Sequence, residues 1–202
     1  FSGKEKVEIF WSVPSGNGPF PVYIYAHQFQ GKLTTGAAPI AESGMLEGLA
    51  RVGYVGVAFS QAGHGKSTGR PDNCGKLSRQ GLKAVIRYLK SKPFVDQKKI
   101  VLHGLSMGAN LSALVAAEED GLAGIILESA SFDFHSMMNR IWAQGLQHPS
   151  LRNFYELLLE QSGGGPDRFH ERSLFPVAEK ITSPVLILSG GGDTTSLAEE
   201  AV

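Results

Sequence analysis

The chain has 202 residues, with 19 lysines and arginines balanced by 19 aspartates and glutamates, 42% hydrophobic residues and a single cysteine, Cys74. Zero net charge gives no long-range attraction to nucleic acid or an anionic membrane, no apolar run is long enough to span a bilayer, and one cysteine cannot form an internal disulfide. The length suits one domain, residues 1–202, with a sizeable core.

Taken in order, residues 7–13 (Val-Glu-Ile-Phe-Trp-Ser-Val) read as a strand, and residues 14–19, rich in Gly and Pro, as a turn. Residues 22–26 are a second strand, apolar and aromatic enough to lie inside a sheet, and it runs out into His27-Gln28-Phe29-Gln30-Gly31. Residues 40–52 carry Leu46, Leu49 and Ala50 at helical spacing and stop before Gly53. Residues 54–59 form a third strand that leads into the Gly63-His64-Gly65 loop, and residues 78–91 place Leu82, Val85, Ile86 and Leu89 on one helical face. Residues 100–103, 124–127 and 185–188 read as further strands, with Leu111, Leu114 and Val115 lining a helix after the first of them.

Strands alternating with amphipathic helices predict an α/β fold with a mostly parallel central sheet and helices on both faces. Residues 132–181 interrupt the alternation. Phe134, Met137, Met138, Ile141 and Trp142 form one helical stripe there, and Leu151, Phe154, Tyr155 and Leu158 another. Residues 133–181 are expected to form either a small helical cap over the sheet's active edge or a pair of plain packing helices.

The segment around Gly104-Leu105-Ser106-Met107-Gly108 has the form G-x-S-x-G between a strand and a helix. A serine on so tight a turn sits in strained backbone, and the residues two away on either side must be small. The helix that follows aims its free N–H groups and positive dipole end at that serine, which suits an oxyanion formed there. Ser106 therefore reads as a serine-hydrolase nucleophile. Gly65-Lys66-Ser67-Thr68-Gly69 matches the same pattern, but loop residues Arg70, Pro71, Asp72 and Asn73 follow it instead of a helix. That loop also resembles the end of a phosphate-binding loop. The required first glycine is Ser60 here, and no helix start is available to supply the amides.

With these features placed, nearly the whole chain resembles the α/β-hydrolase superfamily, nearest to dienelactone-hydrolase-like esterases and the catalytic domains of prolyl-oligopeptidase-like proteins. The likeness rests on the Ser106 turn, on Gly53-Tyr54 with the following strand and Gly63-His64-Gly65 loop, and on the run from Ser183 to Asp193. It implies Asp193 as the acid of a catalytic triad, with Glu128 and Asp133 as weaker choices. It implies an oxyanion hole made by the backbone N–H groups of Met107 and Phe29, although Gln28 stands where the family has Gly. His27 is expected to order its loop. The implied activity is hydrolysis of small-molecule carboxylic esters through an acyl-enzyme on Ser106, without metal or cofactor. A serine peptidase and a non-catalytic hydrolase-like binding protein are the alternatives.

The general base of such a triad is a histidine after the acid in the chain. The six histidines, at positions 27, 64, 103, 135, 148 and 170, all precede Asp193. His103 is expected to point away from Ser106, and His64 is the one stand-in. Three explanations follow: a C-terminal strand, helix and histidine lie outside this sequence, a second chain supplies the base, or the fold is non-catalytic. The first is expected, because the 185–188 strand is apolar on both faces like an interior strand and would otherwise be an exposed edge.

Overall fold

The computed structural model describes residues 5–193, 195, 196 and 200. Six strands, β1 Ile9–Ser12, β2 Phe20–Ala26, β3 Val55–Phe59, β4 Val95–Leu105, β5 Gly124–Glu128 and β6 Val185–Leu188, form one sheet in the order β1-β3-β2-β4-β5-β6. β1 runs antiparallel to β3, and every other neighbouring pair is parallel. The chain is an α/β-hydrolase fold, as the family resemblance implies, and its sheet is mostly parallel, as the alternation of strands and helices predicts.

Successive side chains of a strand point to opposite faces, and β3 shows what that demands. All five of its residues are buried. Val55, Val57 and Phe59 join the main core with Leu82, Ile86 and Leu89 of α3 (Lys76–Lys90) and Leu111, Leu114 and Val115 of α4 (Met107–Ala116). Ala58 joins a smaller cluster with Ala37 and with Leu46 of α2 (Met45–Arg51). Gly56 lets α2 approach, since a Cβ there would lie 2.7 Å from the Leu46 carbonyl oxygen. Every residue of α4 is buried, which is why its ten side chains are apolar or absent on all sides but for Asn110 and Ser112.

Two elements differ from the sequence expectation. The helix expected over 40–52 is two short ones, a helix α1 (Ala38–Glu42) and α2, because Gly44 between them turns left-handed at φ +78°. The strand expected over 100–103 reaches back to Val95. Phe20 pairs with Val95 there, so the polar Asp-Gln-Lys-Lys stretch is carried along as an exposed extension with a shifted register.

Between β5 and β6 run α5 (Phe134–Gly145), α6 (Pro149–Ser162), α7 (Pro166–His170) and a 3₁₀ turn over Phe175–Lys180. α5 and α6 share a cluster of their own, built on Phe134, Met137, Met138, Ile141, Leu158 and Phe169. β6 is the outer strand of the described sheet, and its four side chains are 36–52% exposed. Among the described residues no helix is long and apolar enough to cross a membrane.

The topology locates the site. From β2 the chain crosses outward to β3, then returns to the other side of β2 as β4. Ligands of open α/β sheets bind at the carboxyl ends of strands where the order reverses in this way. The loop after β2, with Phe29, and the turn after β4, with Ser106, flank that crevice.

Candidate active site

Ser106 ends β4 and caps α4 at φ +53°, ψ −117°, a conformation outside the ordinary wells of a non-glycine residue. Such a residue stores about 1–3 kcal/mol and persists only where its surroundings fix it. Here its N–H donates to the Glu128 carbonyl at 2.7 Å, and its own carbonyl accepts from the N–H groups of Ala109 and Asn110 at 2.8 and 3.1 Å. The flanking glycines are steric requirements. A Cβ on Gly104 would run into the Gly108 carbonyl, and one on Gly108 would run into the carbonyl of Ala26 at the end of β2. Met107 is the first residue of α4, so its N–H is one of the amides a helix start leaves without an intrahelical partner.

Ser106 is half-buried and lines a cavity of about 30 Å³. Phe29 and Met107 line it too, as do Phe134 and Met137 of α5, Phe154 and Leu158 of α6, and Asn73, Cys74, Asn110, Ser131 and Thr195. Ser106, expected as the nucleophile, and the two residues expected to supply oxyanion donors therefore border one space. Asp193 is not on its wall. It lies one step behind, where its Oδ1 accepts the N–H groups of Thr195 and Ser196, both at 2.9 Å. Arg140 of α5 holds the same turn, donating to the Thr195 carbonyl at 3.1 Å and pairing with Glu200 at 2.7 Å. The weaker acid choices are engaged elsewhere: Glu128 pairs with His103, and Asp133 caps α5 by accepting from the Ser136 amide and hydroxyl.

Every histidine lies off the cavity wall. His27 is buried, accepts from the Gln61 N–H through Nε2 at 3.2 Å and donates from Nδ1 to the Gln28 carbonyl at 2.9 Å, while the Gln61 side chain donates to the His27 carbonyl at 2.7 Å. Burial pushes its pKa down to about 4, so it is a neutral strut for the loop that carries Phe29. His64, the expected stand-in base, is buried against the His27 ring at 5.0 Å with its Nδ1 on the Ala62 carbonyl, and burial lowers its pKa as well. His103 pairs with the Tyr23 hydroxyl at 2.5 Å and Glu128 at 3.1 Å, and does not face Ser106.

The second G-x-S-x-G segment is structural. The Ser67 hydroxyl donates to the Ser60 carbonyl at 2.6 Å and accepts the Glu8 N–H at 2.9 Å. The Gly65 and Lys66 amides donate to the Thr34 carbonyl and to the Glu8 carboxylate at 2.7 and 3.1 Å. Amides already engaged by protein acceptors, one of them anionic, cannot cradle a phosphate. Among the described residues no group of three or more His, Cys, Asp or Glu could hold a metal ion.

The sequence reading missed the bend that forms one wall. Asn73 and Cys74 are consecutive non-glycine residues in the left-handed region, at φ +41° and +61°. Arg172, itself buried, holds them: Nε donates to the Asn73 carbonyl at 2.6 Å, Nη2 to the Asp72 carbonyl at 2.9 Å and Nη1 to the Arg168 carbonyl at 2.5 Å. Burial raises the Cys74 thiol to about 12, and this neutral S–H donates to the Met107 carbonyl at 3.1 Å. Asn110 is a further residue of the site that the sequence pattern does not single out. Its amide accepts from the Ser131 N–H at 2.9 Å and donates to the Ser131 and Arg172 carbonyls, so it ties α4 to the loop after β5. No local signal marked the clamp: Arg172 is one of four arginines in residues 133–181, and its partners lie about a hundred residues away in the chain.

Residues 6–155 match the family model of the X-Pro dipeptidyl-peptidases (S15 family). Protein bem46 of Schizosaccharomyces pombe is 33% identical over 89 residues, which span 43% of this chain and 29% of that protein. An esterase of Pyrococcus furiosus superposes with TM-score 0.72 at 22% identity, covering 98% of this chain and 69% of that one. Est1E from Butyrivibrio proteoclasticus, solved with ferulic acid bound, gives 0.68 at 20% identity over 98% and 80%. The acylaminoacyl peptidase of Pyrococcus horikoshii gives 0.70 at 15% identity over 96% and 31%.

Proposed function

We propose, for a chain that belongs to the X-Pro dipeptidyl-peptidase (S15) family of α/β-hydrolases, that it is a serine hydrolase cleaving carboxylic esters through an acyl-enzyme on Ser106. The observation that carries the proposal is the strained backbone of Ser106 at a strand-to-helix junction, on the wall of a cavity. In this reading the Ser106 hydroxyl oxygen bonds to the acyl carbon, and the developing oxyanion takes the N–H groups of Met107 and Phe29. The bond to the alcohol oxygen breaks, and the alcohol leaves with the serine proton. Water then attacks the acyl-serine ester, releases the acid and returns the proton to Ser106. A poised donor of this kind is worth about 3–4 kcal/mol of transition-state stabilisation.

Proton transfer needs a base. We place it on a histidine from outside these 202 residues, oriented by Asp193, because none of the six present lines the cavity. We read residues 133–181 as a cap, because α5 and α6 supply four of the cavity's apolar walls: Phe134, Met137, Phe154 and Leu158.

The S15 match favours peptidase activity as the second reading. A dipeptidyl substrate brings a free α-ammonium close to the scissile carbonyl. Among the described residues lining the cavity none is charged, so that cation would lose its water without gaining a partner. This favours uncharged esters, with a small-molecule substrate as the partner. The test uses the full-length product of the gene with p-nitrophenyl acetate and with Ala-Pro-p-nitroanilide. The ester should be turned over at least tenfold better in kcat/KM, and Ser106→Ala should abolish both activities. Turnover that survives Ser106→Ala contradicts the nucleophile assignment.

A further inference from the structure

The cavity beside Ser106 is small as well as uncharged, and its size has a physical scale. A space of about 10–15 Å³ holds one water, whereas a dry apolar cavity of about 150 Å³ takes up a benzene. The cavity here, of about 30 Å³, has room for two or three heavy atoms and none for a ring. Its far wall comes from two helices of the insertion. Met137 of α5 and Leu158 of α6 are 5% and 3% exposed and belong to the same packed cluster, so neither has empty space to retreat into. The Phe29 ring meets Phe154 of α6 edge-on at 5.3 Å, which closes the side towards the β2 loop. The Ser131 hydroxyl lies 2.7 Å from the Met137 sulfur and fixes the tip of that side chain over the pocket.

We propose that this pocket receives the acyl part of the substrate as a short, uncharged aliphatic group of acetyl to propionyl size, and that Met137 and Leu158 are the specificity-determining residues that set the upper limit. The inference rests on the serine-hydrolase reading for its substrate, but not for its geometry. Truncating either side chain to alanine extends the space along the acyl axis and leaves Ser106, Met107 and the 72–75 bend in place.

The kinetic test uses the full-length product of the gene with p-nitrophenyl acetate, butyrate, octanoate and benzoate. The expected kcat/KM falls at least tenfold between acetate and octanoate, and at least tenfold between acetate and benzoate. Leu158→Ala and Met137→Ala should each recover butyrate and benzoate relative to acetate by at least fivefold, with melting curves confirming that the variants are folded. A flat or rising profile in the unmodified enzyme, or a profile that neither folded variant moves, overturns the proposal.

A second measurement needs no turnover. The protein has four methionines, and Met107 and Met137 line the pocket. With ¹³C-methyl methionine labelling, propionamide should shift the Met107 and Met137 methyl resonances of the unmodified protein, and benzamide should do so only in Leu158→Ala. Equal shifts from both amides in the unmodified protein, or no shift from propionamide, overturn the size limit even if no ester is hydrolysed. If propionamide binds as expected while no ester is cleaved, the hydrolase reading fails and the pocket assignment stands.

Discussion

The backbone N–H of Ser106 donates to the carbonyl of Glu128 at 2.7 Å. This bond pins the end of β4 to the end of β5, and it holds Ser106 at φ +53°, where a side chain is strained. Only glycine adopts such a φ without penalty. Ser106→Gly should therefore stabilise the fold by about 1 kcal/mol, within the range a single strained residue stores, while removing activity. Urea unfolding at neutral pH measures this directly, and a lowered midpoint for Ser106→Gly would mean that the turn is not strained.

The two glycines of the motif should behave in the opposite way. The space each would need for a Cβ is filled by main-chain atoms, the Gly108 carbonyl for Gly104 and the Ala26 carbonyl for Gly108. Main chain held in the first turn of α4 and at the end of β2 cannot move aside as a flexible side chain can. Gly104→Ala and Gly108→Ala should each destabilise by about 3 kcal/mol or more. Gly121→Ala is a comparison without crowding, since a Cβ there meets nothing within 4 Å. Its effect should stay at the level of left-handed strain, about 1–2 kcal/mol. Chemical denaturation of the three variants checks the order.

Arg172 should matter far more than an ordinary arginine of a helical insertion. Its guanidinium serves three carbonyls, those of Asp72, Asn73 and Arg168. Arg172→Met takes this partner from the Asn73 and Arg168 carbonyls and leaves the Asp72 carbonyl with the Gly75 N–H, at about 1–3 kcal/mol for each acceptor left buried without a partner or water. Arg172→Lys keeps the charge but loses the planar fork that spans two successive carbonyls, and it should recover only part of the stability. The loss should be accompanied by relaxation of the Asn73–Cys74 bend, visible as faster hydrogen exchange at the Gly75 N–H, which now bonds the Asp72 carbonyl at 2.9 Å.

Acid should weaken the fold through His27. Its pKa is lowered from 6.5 to about 4, first by burial. A histidine whose folded pKa lies below its unfolded value favours the neutral form in the fold. Its contribution is therefore complete above about pH 6.5 and is lost as pH falls towards 4. The shift corresponds to on the order of 3 kcal/mol, and His64 and His103, both also lowered by burial, act in the same direction. Stability measured between pH 7 and pH 4.5 should fall along this course, and His27→Gln should flatten the curve. An unchanged slope in His27→Gln would remove His27 as its source.

Much of the fold was legible because it rests on short-range signals. Alternating β-branched runs gave the strands, and Gly104 and Gly108 around Ser106 gave the elbow, since both glycines answer to local crowding. The extension of β4 back to Val95 was not legible, because Asp96 to Lys99 are polar and only the pairing of Val95 with Phe20 and of Ile100 with Val22 on either side of them makes the stretch strand. The split at Gly44 was hidden because apolar spacing continues across it. At the site, Met107 follows from its place directly after Ser106 and Phe29 from the family resemblance, and both line the cavity, whereas the Asn73–Cys74 bend could not be placed. Nothing in Asp72-Asn73-Cys74-Gly75 marks a pocket wall until Arg172, roughly a hundred residues on, is brought against it.

The most direct test of the central claim is covalent labelling. The full-length product of the gene is treated with an alkyl fluorophosphonate, digested and read by mass spectrometry. A single phosphonylated peptide modified at Ser106, absent in Ser106→Ala, is the predicted result. A folded protein that carries no label at Ser106, or carries it at Ser67 instead, contradicts the account.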